Sequence, residues 1–120
     1  MKLIPALLIV GMLSVSGWAG SYSPELVKKA EAGDATAQLY LGIYYEIGKG
    51  VGKDEKEAVK WYTKSAEQGV AFAQFLLGVC YEFGTGVGKD EKEAVKWWTK
   101  SAEQGDPNAK KALVRIKAKQ

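Results

Sequence analysis

The chain contains one stretch twice. Residues 50–61 read GVGKDEKEAVKW, and 86–97 read the same. The run TKSAEQG at 63–69 returns at 99–105, and glycines at 33, 69 and 105 keep a period of 36 residues. Laying 34–69 over 70–105 leaves 27 of 36 positions identical. A period of this length implies stacked helical units, each burying its apolar face against a neighbour. The expected fold class is therefore all-α, and nothing inside the duplicated unit has a catalytic pattern.

With 120 residues the chain holds one domain at most. Its formal charge of +3 is too mild to argue for a nucleic-acid partner. There is no histidine and one cysteine, Cys80. That excludes Ser-His-Asp and Cys-His nucleophiles and any zinc site of Cys and His. No run has the alternating oxygen ligands of a calcium loop, so no metal or other cofactor is expected.

Residues 1–19 differ from the rest. Lys2 gives a positive start, 3–15 is an apolar run, and small residues at Gly17 and Ala19 have the spacing that a signal peptidase reads. The run falls short of the about 20 apolar residues of a membrane span. It reads as a secretory signal cleaved after Ala19; the alternative is an uncleaved N-terminal anchor. No cysteine follows the run, which disfavours a lipid anchor. Both readings put the folded part in the periplasm or outside the cell, with no stable membrane insertion once the signal is gone. A single cysteine there has no intramolecular partner.

The segment 20–33 aligns with the end of the repeat, ELVKKAEAG against WYTKSAEQG, and reads as a half-unit capping helix. Pro24 suits a first turn and Gly33 a stop. The first unit, 34–69, has an A helix over 35–47, a glycine turn and a B helix over 55–68. Asp54 should cap the B helix, with Glu57 reaching back in a capping box. Ala58, Trp61, Tyr62, Ser65 and Ala66 trace that helix's inward side. The second unit, 70–105, repeats the plan over 71–83 and 91–104. The tail, 106–120, reads as the A helix of an unfinished third unit. There Lys111 and Arg115 replace the apolar residues of earlier units with a polar outer face.

These residues carry a resemblance. Ala37, Leu41, Gly42, Tyr45, Gly48, Gly50, Val51, Asp54, Ala58, Trp61, Tyr62, Ala66 and Gly69, with their counterparts 36 residues on, Trp98 standing for Tyr62, resemble the Sel-1-like repeat, a relative of the tetratricopeptide repeat. The resemblance implies a right-handed α/α superhelix that serves as a protein-binding scaffold, with the A helices lining its concave side. One secreted branch of that family carries paired cysteines and has been linked to penicillin binding. Cys80 sits near its first cysteine position, but Ser65 and Ser101 stand where the partner would be. A β-lactam-binding or cell-wall-modifying enzyme is therefore the alternative function. No S-x-x-K supports it.

The differences between the copies locate a candidate site. Six of them, at 36, 39, 40, 43, 44 and 47, lie on one face of the A helix. Relatives commonly carry polar residues at several of these sites. Here Thr36, Tyr40, Ile43 and Ile47, with Phe72, Leu76, Val79 and Phe83, are expected to line an apolar groove for a protein partner. That partner is an envelope protein or a secreted toxin. Leu39, Ile43, Phe75 and Val79 are equally placed to pack between helices, whereas Tyr40, Phe72, Leu76 and Phe83 are expected to be exposed. A homodimer that uses the groove as its own interface is a further reading. A lysine row, Lys56, Lys60 and Lys64 with Lys92, Lys96 and Lys100, reads as a solvated convex face interleaved with glutamates. The run 84–89 lacks the spacing and the Ser or Thr of a phosphate loop.

Overall fold

A computed structural model describes residues 21–120; the expected signal, 1–19, lies outside the described residues. Along the chain run α1 (Pro24–Glu31), α2 (Ala35–Ile47), α3 (Glu55–Glu67), α4 (Ala71–Phe83), α5 (Glu91–Glu103) and α6 (Pro107–Ala118). Each packs on the next, so α2/α3 and α4/α5 form two helix pairs with α1 and α6 at the ends. No strand occurs among the described residues. The fold is an all-α repeat solenoid, as the period requires.

The helices begin where side chains can take up free backbone N–H groups. Ser23 Oγ accepts from the Leu26 N–H, Asp34 from Ala37, Asp54 from Glu57, Asp90 from Glu93 and Asp106 from Ala109. Each such cap is worth about 1 kcal/mol. Helix α4 has Val70 at this position and no side-chain cap. The reciprocal half of the expected capping box is absent. The Asp54 N–H donates instead to the Tyr45 carbonyl at 2.8 Å, and that of Asp90 to Tyr81 at 2.8 Å. The turn folds back over the end of the A helix and uses that donor first. Glu57 and Glu93 lie near Lys60 and Lys96, at 3.8 and 3.7 Å.

The five inward residues expected on the first B helix are all buried, as are Ala37, Leu41 and Gly42 on α2. Gly42 and Gly78 set how close the paired helices come. A Cβ on Gly42 would stand 2.6 Å from the Tyr62 ring, and one on Gly78 2.4 Å from Trp98 Nε1. Helix α6 has Val114 at this register, 71% exposed. Its side chain stands at the register that glycine leaves open to Tyr62 and Trp98 in the two full units.

Between units runs a ladder of amides. Gln38 and Gln74, both buried, donate to the carbonyls of Ala30 and Ala66 at 3.0 and 3.1 Å. From within the same unit, Gln68 and Gln104 then donate to their side-chain oxygens, each at 2.9 Å. Within each unit, Ser65 and Ser101, also buried, donate to the Ala35 and Ala71 carbonyls at 2.8 and 2.7 Å. No buried side-chain polar atom among the described residues lacks a partner. Unmet groups of this kind would each cost about 1–3 kcal/mol, so the ladder fixes the register of one unit on the next.

Candidate interaction site

Successive A helices present the same register, because each unit repeats the last. Six of the positions that differ between copies therefore fall on one face of α2 and α4, which α6 continues. Ile47 is 59% exposed, Phe72 41% and Phe83 66%, and Thr36 is exposed beside them. Three of the four exposed large hydrophobics among the described residues thus lie on this face; the fourth is Val114. The other candidates sit lower. Tyr40 is half-buried, its ring 6.4 Å from that of Tyr44. Ile43, Leu76 and Val79 are half-buried and pack against the core, Ile43 touching the clusters on both sides of α2. Leu39 is buried, and the Phe75 ring lies 6.1 Å from that of Phe72. The result is an apolar floor with exposed rims.

Where α4, α5 and α6 meet, the face deepens into a groove of about 240 Å³. Phe75, Val79, Phe83 and Trp98 supply its apolar wall, Lys111 and Arg115 its polar one. Arg115 does not simply project to solvent, as a polar outer face would suggest. Its guanidinium forms a fork on the Glu82 carboxylate, at 2.6 and 2.8 Å, and lies 5.8 Å from the Trp98 ring centre. The Glu82 side chain is only 4% exposed.

The cause lies in two linked differences between the copies. In the first unit the Tyr62 phenol donates to Glu46. Burial, then this bond, pushes the phenol's pKa up. In the second unit Trp98 replaces Tyr62, and its indole donates to the Phe75 carbonyl at 3.1 Å. Glu82, at the register of Glu46, thereby loses its phenol donor. Arg115, at the register of Val79, replaces it. The signal for this was the Tyr62/Trp98 difference, which leaves one conserved-register glutamate in need of a new donor.

Hydrogen bonds from Arg115 hold the Glu82 carboxyl below its usual range; burial opposes this, while the Arg115, Lys119 and Lys89 charges reinforce it. A lowered folded pKa contributes stability that is present above the unfolded value and lost as pH falls through the folded one. Glu82→Gln should therefore cost about 1–3 kcal/mol at neutral pH. The deficit should shrink below about pH 4. Urea titrations of both proteins at pH 7 and pH 3 check this; a constant deficit would contradict it.

The lysine row is engaged with tryptophan. Lys60 and Lys64 lie 5.4 and 5.8 Å from the Trp61 ring centre, and Lys96 and Lys100 lie 5.5 and 5.0 Å from that of Trp97. Cys80 is buried, and burial, with smaller effects from Glu46 and Glu55, pushes its pKa up to about 12. A thiol so placed stays protonated and is a poor nucleophile. No cluster of His, Cys, Asp or Glu among the described residues could hold a metal ion.

The Sel1 repeat model matches residues 35–70 and 71–106. The chain belongs to the Sel1 repeat family. A Sel1 repeat protein from Oxalobacter formigenes is 44% identical, with a TM-score of 0.74, over 75% of this chain and 68% of that one. A protective antigen present in uropathogenic Escherichia coli strains, displaying an SLR fold, is 43% identical with a TM-score of 0.69. That match covers 70% of this chain but only 18% of the antigen. Helicobacter pylori cysteine rich protein B is 34% identical, with a TM-score of 0.70, over 73% of this chain and 66% of that one. No curated protein matches the chain at a significant level. Sel1 repeat proteins generally mediate protein–protein interaction. No helix among the described residues is long and apolar enough to cross a membrane.

Proposed function

We propose that this Sel1 repeat protein is a non-enzymatic interaction module of the cell envelope. It grips a protein partner with the apolar concave face of its A helices. The observation that carries this is the exposure of Ile47, Phe72 and Phe83 on one shared face, above a floor of Ile43, Leu76 and Val79. Exposed apolar patches, unlike hydrophobic residues scattered singly, mark interaction sites. The signal-like segment 1–19 supports a periplasmic or secreted location. Two uses fit: an adaptor or regulator of an envelope complex, and an immunity protein that neutralises a toxin.

Exchanging Tyr40, Phe72 and Phe83 together for serine tests the groove. Interface aromatics often contribute at least about 1–2 kcal/mol each, so capture of the partner from envelope extract should fall about a hundredfold or more. Far-UV circular dichroism should retain the helical signal. Unfolding of the triple variant would show these side chains to be core; undiminished capture would place the site elsewhere. Light scattering that gives a dimer, lost in the same variant, would make the second copy the occupant. Hydrolysis of a chromogenic β-lactam by the pure protein would overturn the non-enzymatic reading.

A further inference from the structure

The shared face of the A helices changes character at its third member. Lys111 stands at the register of Leu39 and Phe75, Arg115 at that of Ile43 and Val79, and Lys119 at that of Ile47 and Phe83. Two helices thus present aliphatic and aromatic groups where the last presents cations. The groove of about 240 Å³ lies at that junction, with Phe83 on one rim and Lys111 and Arg115 on the other.

The cations are not all balanced locally. Glu82 neutralises Arg115, and Glu91 lies 3.7 Å from Lys119. Lys111 is exposed and has no ion-pair partner among the described residues. Residues 107–120 contain five basic side chains and no acidic one, although the whole chain carries only +3; the remainder is net negative. Positive charge is therefore concentrated at the end of the face where the groove opens.

Resting on the groove reading above, we propose that the partner enters here with an acidic segment carrying an aromatic or long aliphatic residue. The apolar side chain packs against Phe75, Val79 and Phe83. Flanking carboxylates face Lys111 and the N–H groups of Arg115 that Glu82 leaves open. Such complementarity sets orientation and association rate as well as affinity. A lipid surface fits less well. A flat bilayer meets outward cations before those that line a cleft between helices. The outward Lys110 and Lys117, beside exposed Val114, are the groups it would meet.

Fluorescence anisotropy with labelled nonapeptides tests this on the whole protein. One peptide has phenylalanine flanked by aspartates and glutamates; the second has lysines in place of the acids; the third is acidic with glycine for phenylalanine. The acidic phenylalanine peptide should bind at least about tenfold more tightly than either control, and rising salt should weaken it. Lys111→Glu should reduce its binding about tenfold, and Lys64→Glu should leave it unchanged. Equal binding of the acidic and basic peptides would overturn the proposal, as would indifference to Lys111→Glu. If Phe83→Ser abolishes phenylalanine-peptide binding whatever the flanking charge, the groove reading stands and the acidic preference falls. If no peptide binds, or Phe83→Ser changes nothing, both fall. Tighter binding to phosphatidylglycerol vesicles, weakened by Lys110→Glu and Lys117→Glu but not by Lys111→Glu, would overturn the proposal in favour of a membrane.

Discussion

Trp98→Ala should remove about 3–5 kcal/mol of stability, the usual range for emptying a large aromatic site in a packed core. Trp98 is fully buried and is the largest such side chain. It fills the space that Gly78 leaves open on α4, anchors its indole N–H on Phe75, and packs with Ala94, Ala109, Ala112 and Ile116 of the last core cluster. Its loss therefore loosens α4, α5 and α6 at once. Domains of this size have total stabilities of about 5–15 kcal/mol, so the variant should be close to unfolding at 37 °C. Urea denaturation followed by far-UV circular dichroism gives the value. A cost below about 1 kcal/mol would mean that the site collapses freely, and that the fit between Gly78 and Trp98 is not what sets the helix spacing.

Gly86→Ala should cost about 3 kcal/mol or more, for two independent reasons. Gly86 has φ +72°, where a Cβ alone costs about 1–2 kcal/mol. That Cβ would also stand 2.2 Å from the carbonyl oxygen of Glu55, a backbone atom of the preceding unit. A flexible side chain could move aside, but α3 cannot shift without opening the contact between units. The control is Gly88→Ala, where nothing lies within 4 Å and φ is ordinary; its effect should be within about 0.5 kcal/mol. Equal losses in the two variants would show that the turn's flexibility matters, not its contact with α3.

Much of this molecule was legible because repetition doubles every signal. The start of each B helix followed from Asp54 and Asp90, and its inward face from the spacing of Ala58, Trp61, Tyr62, Ser65 and Ala66. Helical spacing assigns a residue to a face. It does not say which side chain of another unit that residue meets. Arg115, at the register of Ile43 and Val79, is expected on a polar outer face and is half-exposed there; its fork on Glu82, 33 positions away, is what spacing does not show. The buried glutamine ladder is hidden for the same reason, since Gln38 and Gln74 sit among apolar neighbours and find their partners on other helices, across units and within them. The capping box failed at its second half because the turn's path gave Asp54 a backbone acceptor nearer than the Glu57 side chain. The candidate groove was legible as a register. How much of each side chain stands clear of the floor depended on packing that no single helix encodes.

Hydroxyl-radical footprinting, read residue by residue in the free protein and with its captured partner, is the most direct measurement of the proposed grip. Phe83 and Phe72 should label readily in the free monomer, while buried Trp98 and Tyr62 stay silent. Adding the partner should protect Phe72, Phe83 and Tyr40 and leave residues flanking the Lys60–Trp61–Lys64 cluster unchanged. Silent Phe72 and Phe83 in the lone molecule, or protection confined to the lysine-bearing side, would contradict the claim that this solenoid binds through its apolar face.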